Sequence, residues 1–339
     1  MLQRKQSQQH PNGGALISAL FITAIAAIIA TALAVEVRLL IHEGELVTGS
    51  DQSYLNCENI QLLAEKAILT YSAQWADPKS LPSQITPLPA KIEKIKIGNM
   101  VLSGTLDNEQ GKFNINDLAY SANQPRFVAL LQAVVQGISL QQSYDIAKSI
   151  TAWITSDADN KYYLSLNPPY QSPKSPMTDI SELRLVKGMT PDIFSALKPY
   201  VTALPVTPPT AEAPASSSSP ATPAAPAQKS APETAIDINA ASAPALLTTD
   251  PTLTLAQATM LANCRQQFGG FSSTAAFLAD CAQAQSISGL TNITAQSHYF
   301  LVNAHANWNH HMVLLKRLVV TQAQKNNTLK TVIVWQSFE

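Results

Sequence analysis

The chain has 339 residues, enough for two domains with cores of their own, since single domains usually run to about 100 to 200 residues. Hydrophobic residues make up 46% and charged residues 13%, the apolar excess being concentrated in one early segment and in alanine-rich tracts. The formal net charge is −1 and there is no basic stripe to neutralise phosphates, which argues against nucleic acid as a partner.

Residues 1–14 are polar, with Arg4 and Lys5 their only charges, and residues 15–35 carry no charged side chain before Glu36 and Arg38. About 21 residues at 1.5 Å each give a helix near 30 Å long, enough to cross a hydrocarbon core. The segment is mostly Leu, Ile, Ala and Phe without Gly or Pro, so intrahelical bonds satisfy its backbone in lipid. Arg4 and Lys5 predict a cytoplasmic N-terminus. Three readings fit: a secretory signal peptide cut at Ala32-Leu33-Ala34, a retained anchor, and a type IV prepilin-like leader cut after Gly14 so that Ala15 becomes the new N-terminus. The run is longer than the usual signal h-region of about 7 to 15 residues, which favours retention. The third reading also accounts for the order, a short basic leader ending in Gly with the apolar helix following at once. It puts Ala19 at the fifth mature position, where most pilin-type sequences carry Glu. An acid at that depth is costly unless it pairs with the terminal amine of the subunit ahead, so a subunit with Ala there needs none ahead of it.

Over 45–72 the helical rhythm continues, with Leu46, Leu55, Ile60, Leu63, Ala64, Ala67 and Ile68 spaced mainly by three, four or five, which predicts a helix unbroken from the membrane. Pro78, Pro82, Pro87 and Pro89 close it. Alternation at Ile92, Ile95 and Ile97, a Gly98-Asn99 turn signal and Met100-Val101-Leu102 predict a hairpin, continued through Gly111-Lys112-Phe113-Asn114-Ile115-Asn116. Helices are predicted over 126–135, 140–154, 180–186 and 193–201. Residues 205–232 are mostly Pro, Ala and Ser, with almost no charge and no large apolar side chain; such a segment does not offset its ordering entropy and reads as a disordered loop or linker. Helical rhythm returns over 243–268 and 273–282, and 298–303, 312–321 and 328–335 read as strands of a closing sheet.

Cys264 and Cys281 fall on two consecutive predicted helices joined by Phe268-Gly269-Gly270-Phe271-Ser272. An antiparallel pair brings them together, as a disulfide in an oxidising compartment or as two buried thiols. Cys57 reads as an inert core residue, and no CxxC pair points to zinc. His310-His311 begins a predicted strand, where adjacent side chains point to opposite faces and do not share one metal. No G-x-S-x-G elbow and no Cys/His arrangement supplies a nucleophile, so the chain does not read as an enzyme. Asp157-Ala158-Asp159-Asn160 offers hard oxygen donors suited to Ca²⁺, with Asp157 and Asp159 as ligands, but it lacks the Gly and distal Glu of an EF-hand loop, and a helix-ending polar turn explains it equally. Two segments, one around Lys187-Gly188 and one from Ile238 to the Gly269-Gly270 turn, resemble helix-hairpin-helix units, which bind DNA backbone or simply pack. Lys187 and Arg265 are the cations nearest to them.

Taken in order, several motifs resemble one family. They are Gly14 followed by Ala15-Leu16 with Ala19, then Asn108-Glu109-Gln110-Gly111-Lys112-Phe113-Asn114-Ile115-Asn116, Ala152-Trp153-Ile154-Thr155-Ser156-Asp157 and Asn167-Pro168-Pro169-Tyr170. Asp179-Ile180-Ser181-Glu182-Leu183-Arg184-Leu185-Val186-Lys187-Gly188 and Ile236-Asp237-Ile238-Asn239-Ala240-Ala241 complete the set. The chain resembles the minor pseudopilin K family of type II secretion systems over most of its length. The resemblance implies an α+β fold, a pilin-like long N-terminal helix plus antiparallel sheet with a large inserted α-helical domain. In this sequence that becomes a leader over 1–14, a transmembrane and stalk helix over 15–75 and the first part of the pilin-like body over 76–124. The helical insert then occupies 125–204 and 235–292 around a Pro/Ala/Ser-rich loop over 205–234, and closing strands fill 293–339.

The resemblance further implies processing between Gly14 and Ala15 by the prepilin peptidase with methylation of Ala15, and single-pass insertion in the inner membrane with the bulk of the chain in the periplasm. It implies the minor pseudopilins I and J as partners at a pseudopilus tip, where the subunit initiates or caps assembly. Calcium in the helical domain is also a family feature. Here the acidic stretch expected before Pro168-Pro169-Tyr170 is replaced by Lys161-Tyr162-Tyr163-Leu164, and too few carboxylates remain for six to eight oxygens unless carbonyls and waters supply them. A minor pilin of a type IV pilus and a soluble periplasmic protein freed at Ala34 are the alternatives.

Overall fold

The first helix, α1 (Gly14–Ser72), runs unbroken for 59 residues, about 90 Å of helix with no internal proline. The structure, a computed structural model, describes residues 14–75, 77, 81–82, 85–155, 160–205, 234–308, 311–323 and 328–338, except the side chains of Ala15 and Glu93. Residues of α1 before Gly49 are exposed throughout, whereas Ser53, Cys57, Ile60, Gln61, Ala64, Ile68 and Tyr71 are buried, a spacing of three and four that marks one helix face.

That face lies on an antiparallel sheet. Strands β1 (Lys91–Ile97) and β2 (Met100–Asn108) form the expected hairpin around Gly98-Asn99, with Gly98 at φ +58. Instead of continuing the hairpin, the chain then turns twice. Asn108 and Asn114 each accept a hydrogen bond from the backbone N–H two residues on, at 3.1 and 3.2 Å, a local bond that competes with strand pairing. The result is a tight 3₁₀ turn at Glu109–Gly111, a two-residue strand β3 (Phe113–Asn114) and a second 3₁₀ segment at Ile115–Ala119, which bury Phe113, Ile115 and Leu118 in the core of the helical insert.

Helices α2 (Gln124–Val134), α3 (Leu140–Ile154), α4 (Asn160–Leu164) and α5 (Pro191–Leu197) follow, with a 3₁₀ segment at Ile180–Leu185. The helix expected over 193–201 stops before Pro199, and Val201 instead enters β4 (Val201–Thr202), which pairs with β3. Phe127, Leu130, Ile146, Ile150, Trp153 and Leu197 are among the side chains that close this first lobe. The second lobe runs from β5 (Ile236–Asp237) through α6 (Ala243–Leu246), α7 (Leu255–Phe268) and α8 (Thr274–Phe277) to β6 (Ile293–Thr294), with a core around Leu246, Leu261, Phe271 and Phe277. Two helices replace the single one expected over 243–268. Asp250 holds the Thr252 N–H at 2.8 Å beside Pro251, and Thr254 and Gln257 form a capping box that restarts the helix. The helix expected over 273–282 is one α turn followed by a π turn at Leu278–Ala282.

The chain returns to the sheet in β7 (Tyr299–Trp308), β8 (His311–Ala323) and β9 (Leu329–Phe338), all longer than their sequence patterns indicate. The strand order is β1-β2-β7-β8-β9. β2 and β7 are antiparallel neighbours, with Asn108 opposite Phe300 and Met100 opposite Trp308, so the whole insert leaves and re-enters at one end of one strand pair. Leu102, Leu106, Phe300, Val302, Ala304, Leu315 and Val319 meet α1. Close approach is required there: a Cβ on Gly104 would lie 2.7 Å from Ile60. At the other end of the sheet the Trp308 ring sits where a Cβ on Gly49 would be, 2.2 Å from it.

Candidate functional site: a stalk, its lock and a hinge

The described side chains of α1 before Gly49 are exposed, the large apolar ones Leu16, Leu20, Phe21, Ile28 and Leu33 among them. This is the one helix among the described residues long and apolar enough to cross a membrane. Gly14 opens it and Ala15 lies in its first turn, so both predicted processing residues sit at the very start of the helix; residues 1–13 lie outside the described residues. Beyond the apolar run, Leu40, Val47, Leu55 and Leu62 continue an exposed stripe on the side away from Cys57, Ile60, Ala64 and Ile68.

The upper half of α1 is locked to the sheet. Arg317 on β8 donates Nη1 to Glu58 Oε2 at 2.7 Å and Nη2 to Glu58 Oε1, while its Nε donates to Gln336 Oε1 at 3.0 Å. Burial alone would raise the Glu58 carboxyl, but the hydrogen bonds from Arg317 and Tyr54 and the Arg317 charge outweigh it and hold the group below its ordinary value. One turn along, Gln61 Nε2 donates to the carbonyls of Val302 and Leu315 at 3.3 and 3.2 Å. Cys57 is fully buried, donates its thiol toward the Ala304 carbonyl and is pushed up to about 11 by burial, as an inert core thiol should be.

Where the insert meets the sheet, the sequence motifs become a buried polar hinge. Asp237 accepts from Asn108 Nδ2 at 2.8 Å, Ser297 Oγ at 2.7 Å and the Asn239 N–H at 2.8 Å. Burial raises its carboxyl despite these bonds and the nearby Arg265 charge. Arg265 donates to the carbonyls of Ile238, at 2.7 Å, and Ala241. A second knot surrounds Asn114, which donates to Thr234 Oγ1 at 2.8 Å and accepts from the Leu204 N–H at 2.9 Å, while Asp117 accepts from the Thr234 N–H at 2.9 Å. Both flanks of the Pro/Ala/Ser tract are thus held by one asparagine, and 206–233 lies outside the described residues. Ser297 and Arg317 carried no signal in the sequence, because each finds its partner across the insert.

Cys264 and Cys281 are joined in a disulfide between α7 and the π turn, their Cα atoms 5.8 Å apart. Asp157, Asp159 and His310 lie outside the described residues. Within 157–160, Asn160 alone is described. Asn160 Oδ1 accepts from the Ser172 N–H at 3.1 Å, and the expected carboxylates are replaced by rings. Tyr163 packs on Trp153 and Tyr170 at centroid distances of 5.1 and 5.5 Å, and Lys187 Nζ sits 4.9 Å over the Tyr162 ring. No group of three His, Cys, Asp or Glu suited to a metal occurs among the described residues. Cations of the helix-hairpin-helix-like segments are engaged within the fold, Lys187 on Tyr162, Arg184 over Phe194 and Arg265 on carbonyls.

Residues 111–206 match the family model described as type II secretion system (T2SS), protein K. The chain is 30% identical over 214 residues to the type II secretion system K homologue of Escherichia coli (strain K12), a stretch covering 58% of this chain and 63% of that protein. Over these stretches the chain is similar to type II secretion system protein K. The type II secretion system protein K of Aeromonas hydrophila is 22% identical over 219 residues, 59% of this chain and 65% of that protein, so the chain aligns with less than two thirds of either relative. In fold it is similar to a solved chain in the crystal structure of the GspK-GspI-GspJ complex from the enterotoxigenic Escherichia coli type 2 secretion system. The TM-score is 0.57 at 20% identity, over 86% of this chain and 99% of that one.

Proposed function

We propose that this protein is the minor pseudopilin K of a type II secretion pseudopilus, anchored in the inner membrane by α1 and acting at the pseudopilus tip, where it initiates or caps assembly with the minor pseudopilins I and J. One observation carries the reading. The insert leaves the sheet at Asn108 and returns at Tyr299, the end farthest from the apolar half of α1. A bulky two-lobed domain therefore stands over the top of the stalk, where the next subunit of a pilin-type filament would have to add, and Ala19 offers no acid to a terminal amine above it.

The exposed stripe of Leu40, Val47, Leu55 and Leu62 supports packing of the stalk among other stalks once it leaves the bilayer. In the same reading, prepilin peptidase cuts between Gly14 and Ala15 and Ala15 is N-methylated. The Cys264–Cys281 bridge then forms in the oxidising periplasm. The work is assembly rather than turnover. Coexpression of the full chain with the minor pseudopilins I and J tests it: copurification at one copy of each is expected. Recovery as a many-copy filament subunit, or as a protein that binds neither, would refute the tip assignment.

A further inference from the structure

At the end of the body opposite the insert, the turn between β1 and β2 and the end of β7 face the emerging stalk. Ile97, Gly98, Asn99 and Trp308 line a recess of about 670 Å³ together with Ile41, Gly44 and the carboxylate Glu45 of α1. Because α1 is unbroken, height can be counted along it. Ile41 and Gly44 come six and nine residues after Val35, the end of the apolar run, or about 9 to 14 Å beyond it. Headgroups add about 5 to 8 Å to each side of the hydrocarbon core, and an ordinary tilt of about 20° lowers one flank of the body further. This rim therefore lies in the headgroup layer or within about one Debye length, ~8 Å, of it.

Its side chains suit that position. β1 reads Lys-Ile-Glu-Lys-Ile-Lys-Ile, and Lys91, Lys94 and Lys96 are exposed along an open sheet edge. Lysines on an edge also block strand pairing, but that role does not account for the apolar side chains beside them, Ile97 at 50% and Met312 at 67% exposure. Trp308 adds the amphipathic ring favoured at membrane interfaces. Cations interleaved with exposed apolar groups match a surface that is both anionic and interfacial. We propose that the rim formed by Lys94, Lys96, Ile97, Trp308 and Met312 rests on the anionic lipid headgroups of the membrane that holds α1, seating the body on the bilayer before the subunit joins a filament. The proposal rests on the anchor reading.

The full chain, labelled with a fluorophore at Met312→Cys, would be reconstituted in nanodiscs of phosphatidylcholine alone or mixed with phosphatidylglycerol, each with quencher-bearing headgroups. Cys57 is buried and the other two cysteines are bridged, so the label is confined to the rim. Quenching is expected to rise about threefold with phosphatidylglycerol, and to fall back in high salt and in the Lys94→Glu, Lys96→Glu variant. Equal quenching in both lipids, or quenching unchanged by salt and by the variant, overturns the rim while leaving the anchor. Failure to co-elute with nanodiscs of either composition overturns the anchor and the rim with it.

Discussion

Glu58 and Arg317 are 259 residues apart and hold the stalk to the sheet through a two-point ion pair with only 9% of the arginine side chain exposed. Arg317→Ala leaves Glu58 half-buried without its partner and is expected to cost about 1 to 3 kcal/mol in thermal or denaturant unfolding. The sign of the pH effect follows from the lowered Glu58 carboxyl: its contribution is present above the ordinary Glu pKa near 4.3 and is lost as pH falls further. Asp237 acts in the opposite sense, because its raised carboxyl makes the folded state bind a proton more readily as pH falls from neutrality. Asp237→Ala strands the Asn108, Asn239 and Ser297 donors and should cost about 2 to 3 kcal/mol, whereas Asp237→Asn should flatten the pH dependence of stability. In the first lobe the Trp153, Tyr163 and Tyr170 rings pack on one another beside α4. Tyr163→Ala should lower the melting temperature by several degrees, while adding calcium or chelator to the unsubstituted protein should shift it by less than about 1 °C. A calcium-dependent rise would return Asp157 and Asp159 to the role of ligands.

Elements whose physics is local were legible in the sequence. α1 and α3 follow from apolar spacing, and the hairpin follows from Gly98-Asn99. Where a short polar side chain diverts the backbone, periodicity misleads. Asn108 and Asn114 end the hairpin that alternation would have continued, and Asp250 and Thr254 split the helix that an apolar rhythm would have joined. The Cys264–Cys281 bridge closes a separation of 17 residues between α7 and the following turn, so replacing both by Ser should cost about 3 kcal/mol, measured by unfolding with and without reductant. Because Leu204 and Thr234 are both tied to Asn114, replacing 206–233 by about four Gly/Ser residues should leave melting unchanged or raise stability by about 1 kcal/mol. A loss of cooperativity would show that the tract supports the insert.

For the whole molecule, the order of motifs pointed to the family and to an insert within a pilin-like body, but the site of insertion was beyond the sequence. Only the pairing of β2 with β7 brings Asn108 opposite Phe300, across the whole length of the insert, and stands both lobes above the stalk. The hinge that carries them depends on Ser297, a residue type too common to draw notice. In the proposed reading α1 is a processed pilin-type stalk rather than a cleaved signal or an untouched anchor. Mass spectrometry of the mature N-terminus, from the protein isolated from its own membranes, tests it most directly. A chain beginning at N-methylated Ala15 is expected; one beginning at Val35, or still carrying Met1, would refute the processed stalk.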